Sequence, residues 1–188
     1  MTCIVALKHN GIIYMGGDSV SGNFDTGYHD LIANPKVFKT GPFLIGYTTS
    51  FRMGQLLEHV LEVPIYVAEQ GTLLAYMVKT FIPAVREVLK DNGFTTVVNN
   101  VESGGSFLVA FNGQIFEVND DFAVHQSQDG FYAVGCGAVA ALGALHAVMY
   151  VPLLKMDNGE YFVECALTAA SKVNMGVKDP FTILNDKD

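Results

Sequence analysis

Residues 1–19 read MTCIVALKHNGIIYMGGDS, and this N-terminal stretch decides the fold. The β-branched and apolar run at residues 2–7 predicts a strand, the HNG sequence at 9–11 predicts a turn, and residues 12–15 resume the strand. The GGDS sequence at 16–19 ends this hairpin. Asp18, directly after the glycine pair, is therefore either a positioned carboxylate or a turn former.

Strand and helix patterns alternate along the rest of the chain. Further strands are expected at residues 36–39, 43–48, 107–111, 114–118, 131–134 and 181–184. Helical spacing is found at residues 51–61, 72–90, 138–150 and 160–175, with a kink or an offset start at Pro83. Residues 19–35 and 99–105 are predicted to be loops. This order fits two antiparallel sheets sandwiched between helix pairs, in a single domain spanning residues 1–188.

The composition limits the classes of partner. Half of the 188 residues are hydrophobic and only 16% are charged, which predicts a large core with surplus apolar surface buried between subunits. Eleven basic residues face nineteen acidic ones, giving a net charge of −8, and no Lys/Arg cluster is present to neutralise phosphates. We therefore expect no nucleic-acid partner.

Cysteine usage and hydropathy bear on the compartment. The three cysteines form no CxxC pair, which favours a reducing cytoplasm. Residues 130–154 contain no Asp, Glu, Lys or Arg, a run long enough to span a bilayer. Glycines interrupt this run and Pro152 ends it, and the N-terminus lacks the pattern of a signal peptide. We expect a soluble cytoplasmic protein with no membrane partner.

Residues 135–140 (GCGAVA) match a dinucleotide-binding fingerprint between a predicted strand and a predicted helix. Asp157 follows Gly135 at the sequence separation expected for the acidic residue that binds the ribose of a dinucleotide. However, no alternating βαβ pattern precedes the motif, and glycines at such a corner also permit close packing. Within the motif, Cys136 is either a nucleophile or an inert thiol, since the sequence shows no base beside it.

Thr2 becomes the N-terminal residue if Met1 is removed. A terminal threonine carries a nucleophile and a base in one residue, because its hydroxyl attacks while its α-amine accepts the proton. A neighbouring acid and lysine would help, because the ammonium charge of the lysine lowers the pKa of the amine and stabilises the alkoxide. Lys36, which stands between a loop and an apolar strand, is either such a residue or an exposed residue of an edge strand.

Taken together, the chain resembles the proteasome β subunits and the bacterial HslV-type peptidases. The resemblance rests on TCIVA at 2–6, GGDS at 16–19, Lys36-Val37, FLIGY at 43–47, YAVGCG at 132–137 and GVKDPFTI at 176–183. These motifs cover essentially the whole chain in collinear order. The resemblance implies an α+β fold, a four-layer αββα sandwich of the N-terminal-nucleophile hydrolase class.

The resemblance also implies a function. The chain would be a threonine peptidase that acts on peptides or unfolded proteins inside a homo-oligomeric ring, with no metal or organic cofactor. An ATPase unfoldase is implied as a further partner. Thr2 would be the nucleophile, and Asp18 and Lys36 the charge pair that tunes it.

Substrate-binding positions follow from the same resemblance. Ser21 and Gly22 would lie in the segment that pairs with the substrate backbone. Ser50 stands where the family usually has the glycine whose amide helps to form the oxyanion hole. Thr48 and Arg52 would line the specificity pocket, and Arg52 points to acidic or polar substrate side chains.

Three features of the sequence favour a function other than that of an active threonine peptidase. Cys136 replaces the family's secondary serine, and Asn174 replaces the aspartate of proteasome β subunits, although HslV-type members also lack that aspartate. If Met1 stays attached, the nitrogen of Thr2 is an amide and cannot act as a base. The alternatives are therefore a catalytically inactive ring that serves as a scaffold or binding protein, and a dinucleotide-binding oxidoreductase.

Overall fold

The computed structural model describes residues 2–23, 26–68, 71–150 and 158–187. Their strands are β1 (Cys3–His9), β2 (Ile12–Gly17), β3 (Val20–Asn23), β4 (Tyr28–Leu31), β5 (Val37–Thr40), β6 (Phe43–Tyr47), β7 (Thr96–Val98), β8 (Val101–Ser103), β9 (Phe107–Phe111), β10 (Gln114–Val118), β11 (Val124–Gln126), β12 (Phe131–Gly135) and β13 (Thr182–Asn185). Their helices are α1 (Phe51–His59), α2 (Leu73–Tyr76), α3 (Ile82–Asp91), α4 (Ala138–Tyr150) and α5 (Gly159–Val173), with a π-helical turn at Met77–Phe81.

Two antiparallel sheets form the centre of the fold. One has the strand order β12-β1-β2-β13 and the other the order β11-β10-β9-β6-β5. Two separate hairpins, β3-β4 and β7-β8, lie outside these sheets.

The alternation of side chains along β1 defines the layers. Cys3, Val5 and Leu7 are fully buried and pack with residues of α4 and α5. Ile4 and Ala6 point the other way and pack against apolar residues of the second sheet. A strand that is buried on both faces consists of a continuous run of apolar residues, which explains why residues 2–7 predict a strand so clearly.

The outer face of the second sheet packs against α1, α2 and α3. Phe43 stacks between Phe111 and Phe81, with ring centroids 4.0 Å and 5.1 Å away. The layers are therefore α4–α5, first sheet, second sheet, α1–α3, and the predicted αββα sandwich is confirmed.

Several predicted boundaries are wrong in part. Residues 19–35 and 99–105, expected to be loops, contain β3, β4 and β8. These strands are short and mostly exposed, so they lack the apolar alternation that identifies a strand. The predicted helix at 72–90 consists of α2, the π-helical turn and α3. Because α3 begins at Ile82 with Pro83 in its first turn, where a missing N–H is tolerated, the offset start expected at Pro83 is confirmed.

The described part of the uncharged run, residues 130–150, contains β12 and α4. Within the described ranges, no helix combines the length and the hydropathy that crossing a bilayer requires. Pro152 and Asp157 lie outside the described residues, as does Met1.

Candidate active site

The ammonium group of Lys36 occupies the centre of a buried polar cluster. Its side chain has no exposed surface, and Nζ donates to Thr2 Oγ1 at 3.1 Å, Asp18 Oδ2 at 2.9 Å and the Val20 carbonyl at 2.6 Å. An ammonium group has three protons, so each bond has its own donor. Lys36 is thus held with one proton directed at the hydroxyl of Thr2, and the exposed edge-strand alternative does not apply.

The β1–β2 hairpin positions Asp18. Ile4 pairs with Gly17, so the residue after Gly17 lies opposite Cys3. Asp18 Oδ1 accepts from the Cys3 amide at 2.7 Å, and Oδ2 accepts from the Val20 amide at 2.9 Å. A Cβ at Gly17 would lie 2.8 Å from Ile4 Cδ1, so glycine is needed where the hairpin approaches its neighbours. Asp18 is a positioned carboxylate, not only a turn residue.

Burial and the charge of Asp18 change the pKa of Lys36 in opposite directions. Burial lowers the pKa of the Lys36 ammonium, and the charge of Asp18, together with its hydrogen bond, opposes that decrease. Asp18 therefore helps Lys36 to remain charged in a site that excludes water.

Cys136 and Asn174 lie at the nitrogen of Thr2. Cys136 Sγ is 3.3 Å from Thr2 N, 3.3 Å from the Thr2 carbonyl oxygen and 3.4 Å from Asn174 Oδ1. Asn174 Nδ2 donates to the Cys136 carbonyl at 2.8 Å, while its Oδ1 accepts from the Gly176 amide at 2.9 Å. The hydroxyl of Thr2 thus faces Lys36, and its nitrogen faces a thiol held by Asn174.

Gly135 shows what the glycine motif does. Gly135 pairs with Cys3 in an antiparallel ladder and has a φ of +95°. A Cβ at this residue would lie 2.3 Å from the Thr2 carbonyl oxygen. The motif therefore lets β12 and α4 approach Thr2, and it does not form the parallel βαβ unit of a dinucleotide site. The dinucleotide interpretation of residues 135–140 is wrong, and Asp157 lies outside the described residues.

A tight turn connects β6 to α1 beside this cluster. The Ser50 amide donates to the Thr48 carbonyl at 2.6 Å, and Thr49 between them has a φ of +65°. A positive φ is unusual for a β-branched residue. Phe51 follows the turn, and its ring centroid lies 5.8 Å from Lys36 Nζ. In this conformation the Ser50 amide is hydrogen-bonded within its own turn.

Ser106, directly before β9, is hydrogen-bonded to both threonines of that turn. Thr48 Oγ1 donates to the Ser106 carbonyl at 2.8 Å, and Thr49 Oγ1 accepts from the Ser106 amide at 3.2 Å. Sequence reasoning missed Thr49 and Ser106, and it also missed the Val20 carbonyl that binds Lys36. No motif marks them, because each of the three contacts uses a backbone atom.

The remaining predicted residues lie on neighbouring elements. Ser21 and Gly22 follow Val20 in β3, where they pair with Asp30 and His29 of β4. Arg52 is exposed in the first turn of α1, and its amide donates to Ser50 Oγ at 3.1 Å. The structure therefore brings the predicted catalytic residues into one cluster and arranges the predicted binding residues at its border.

Two surface grooves lie away from this cluster. One, of about 740 Å³, runs between α5 and β13, and the other, of about 570 Å³, borders β6 and residues 63–66. Neither is lined by Thr2 or Lys36. We therefore place the candidate site at the buried Lys36–Asp18 ion pair beside the Thr2 hydroxyl, and not at the larger grooves.

Solved structures share this architecture. BPH from Thiobacillus denitrificans, in complex with epoxomicin, superposes with a TM-score of 0.79 at 21% identity, covering 97% of each chain. HslV from Trypanosoma brucei gives a TM-score of 0.66 at 15% identity, over 97% of this chain and 98% of that one. The fold is that of the proteasome-like N-terminal-nucleophile hydrolases.

A third neighbour of this fold is Anbu (ancestral β-subunit) from Yersinia bercovieri. Its TM-score is 0.64 at 13% identity, with 98% of this chain and 81% of that chain covered. No protein-family model matches the sequence, and no curated protein matches it. The likeness to N-terminal-nucleophile hydrolases is therefore structural.

Proposed function

We propose that this chain is a threonine peptidase that hydrolyses peptide bonds with Thr2, once removal of Met1 has exposed its α-amine. The observation that carries the proposal is the 3.1 Å contact from Lys36 Nζ to Thr2 Oγ1, with Asp18 bound to the same ammonium. A buried cation on a hydroxyl stabilises the alkoxide that a nucleophile needs. The proteasome-like fold supports the same reaction class.

The reaction is an acyl transfer in two stages. Thr2 Oγ1 attacks the substrate carbonyl, and its proton passes to the α-amine, whose usual pKa of about 7.7–8.0 suits a base at neutral pH. The amine then protonates the leaving amino group, which leaves an ester on Thr2. The same α-amine takes a proton from water, the hydroxide attacks the ester, and the carboxylic product leaves as Oγ1 regains its proton.

Binding residues complete the proposed site. Ser21 and Gly22 of β3 pair with the substrate backbone, and the Ser50 amide donates to the oxyanion after turning away from the Thr48 carbonyl. Thr48 and Arg52 line the specificity pocket. The guanidinium of Arg52 favours an acidic or polar side chain before the scissile bond.

Assembly into a homo-oligomeric ring is part of the proposal. Ile65, Val139, Val173 and Met175 are 71–86% exposed, and contacts between ring subunits would remove such apolar side chains from water. The ring forms from single-domain subunits in the cytoplasm and encloses its sites, so its substrates are peptides or unfolded proteins, with an ATPase unfoldase as partner. Size-exclusion chromatography of the full chain tests assembly, and a 20.3 kDa monomer would contradict it.

A peptide-hydrolysis assay tests the activity. The chain is prepared so that mass spectrometry shows Thr2 at the N-terminus, and a mixed library of fluorogenic peptides is used. We expect turnover, its loss in Thr2→Ala and its partial retention in Thr2→Ser, since serine keeps the hydroxyl and the amine. Epoxomicin, which is bound to BPH in the solved complex, serves as a further probe of the same site.

A catalytically inactive ring is the second candidate. The observation that favours it is the Ser50 amide, which is hydrogen-bonded to the Thr48 carbonyl at 2.6 Å and so does not face a substrate oxyanion. In that case the chain that starts at Thr2 assembles but hydrolyses no peptide, and Thr2→Ala changes nothing.

A further inference from the structure

The thiol of Cys136 has no part in the proposed peptide hydrolysis, yet it lies against the nitrogen of Thr2. Thr2 N donates a hydrogen bond to Cys136 Sγ at 3.3 Å, so the two atoms are in direct contact. Cys136 is exposed, whereas Thr2 is only 6% exposed. A small oxidant therefore reaches the sulfur from solvent, while the sulfur stays against a buried nitrogen.

No other nucleophile competes for that sulfur among its described contacts. Besides Thr2 N, Sγ touches the carbonyl oxygens of Thr2 and Gly176 and Oδ1 of Asn174. These oxygens accept hydrogen bonds, but neutral carbonyl and amide oxygens are poor nucleophiles.

The neighbouring thiol is inert. Cys3 is fully buried and packs against α4 and α5, and burial raises the pKa of its thiol to about 12. A protonated thiol is a poor nucleophile, so Cys3 does not resolve an oxidised Cys136 as a disulfide. Cys165 lies on α5, away from these contacts.

We infer that Cys136 is a site of reversible oxidation by peroxides, at which its sulfur becomes covalently linked to the α-amine of Thr2. The inference rests on the proposed function only in that Thr2 has a free amine. A hydroperoxide oxidises the thiol to a sulfenic acid, and the peroxide is reduced to an alcohol or water. The amine then attacks the sulfur, an S–N bond forms, the S–O bond breaks, and water leaves.

The link blocks the proposed catalytic cycle. A sulfenamide nitrogen carries a substituent and is a weaker base, so the α-amine no longer accepts the proton of Oγ1. Asn174 holds the Cys136 backbone at 2.8 Å, which keeps the linked residues in place. Two equivalents of an external thiol reduce the S–N bond, restore both groups and leave as a disulfide, so the peptidase is switched off by peroxide and on by reductant.

Intact-mass spectrometry and peptide mapping of the full chain test the inference. The chain that starts at Thr2 is treated with hydrogen peroxide and then with dithiothreitol. We expect a loss of about 2 Da, a cross-link between the peptide starting at Thr2 and the peptide containing Cys136, and reversal of both by dithiothreitol. Peptide hydrolysis falls and recovers in parallel.

Matched variants exclude other sources of the signal. Cys165→Ser keeps the cross-link, and Cys136→Ser loses it. A chain with an N-terminal extension before Thr2 has an amide in place of the amine. Because an amide nitrogen is a much weaker nucleophile than an amine, dimedone that is present during oxidation traps the sulfenic acid before a cross-link forms. Irreversible gains of oxygen at Cys136 without any cross-link, or a cross-link to Cys3, would overturn the inference.

The two proposals fail separately. A cross-link in a chain that hydrolyses no peptide supports the S–N linkage and refutes the peptidase. Turnover that stops in peroxide with no cross-link refutes the linkage and leaves the peptidase standing.

Discussion

Replacing Lys36 with methionine tests the buried ion pair most severely. The substitution removes a fully buried ammonium group and its bonds to Thr2, Asp18 and the Val20 carbonyl, but it keeps the apolar stem. Leaving one partner of a buried pair uncompensated costs about 3–5 kcal/mol. Asp18 keeps its bonds from the Cys3 and Val20 amides, so we expect a loss near 3 kcal/mol in the free energy of unfolding.

Urea denaturation at fixed protein concentration measures that loss, and the double variant with Asp18→Asn measures the coupling. Two side chains in direct contact give about 2 kcal/mol of coupling in such a cycle. Activity should fall about 10²–10³-fold, as when one preorganised electrostatic contact is removed. Lys39→Met, on the exposed side of β5, is the control and should change stability by at most about 1 kcal/mol, as expected for the contacts of an exposed charge. If Lys36→Met costs less than about 1 kcal/mol, or if the two substitutions are additive, the ion pair does not have the proposed role.

Three further predictions follow from the same geometry. Gly135→Ala places a Cβ against the Thr2 carbonyl at a φ of +95°, so it should lower the free energy of unfolding, measured with urea, by about 3 kcal/mol. As a control, Gly143→Ala lies in open space on α4 and should raise the free energy of unfolding by up to about 1 kcal/mol. Arg52→Glu should reverse the preference between acidic and basic peptides by about fivefold, since an exposed charge pair contributes about 1 kcal/mol; equal rates for both peptides in each protein would refute the assignment.

The third concerns pH. The turnover number should rise as the α-amine of Thr2 loses its proton and fall at a pH below 10.4, the usual pKa of lysine, because burial lowers the pKa of the Lys36 ammonium. Across that alkaline window the folded chain binds fewer protons at Lys36 than the unfolded chain, so this residue's contribution to stability rises with pH. A turnover number that stays constant up to pH 10.4 would contradict the role of the ammonium, and urea unfolding over the same range separates lost activity from lost structure.

The layers could be predicted because burial leaves a pattern in the sequence. β1 is apolar on both faces, and α4 and α5 carry long apolar stretches, so their types and approximate bounds follow from residue order. The β3–β4 hairpin could not be found in this way, because all four residues of β4 are exposed and nothing selects one face.

Less of the candidate site than of the fold could be predicted from the sequence. The assignment of Thr2, Asp18 and Lys36 rests on resemblance, since their separation along the chain carries no geometric information. The contact between Thr2 N and Cys136 depends on the pairing of Cys3 with Gly135, which only the folded sheet supplies. The bond from the Ser50 amide to the Thr48 carbonyl is a backbone property with no motif of its own.

The most direct test of the central claim is to identify the atom that carries the acyl group. The chain that starts at Thr2 is mixed with an activated peptide ester, quenched in acid within the first turnover and mapped by mass spectrometry. We expect an acyl group on Thr2, absent from Thr2→Ala and from a chain that retains Met1. An acyl group on Cys136, or none at all, would rule out Thr2 as the nucleophile.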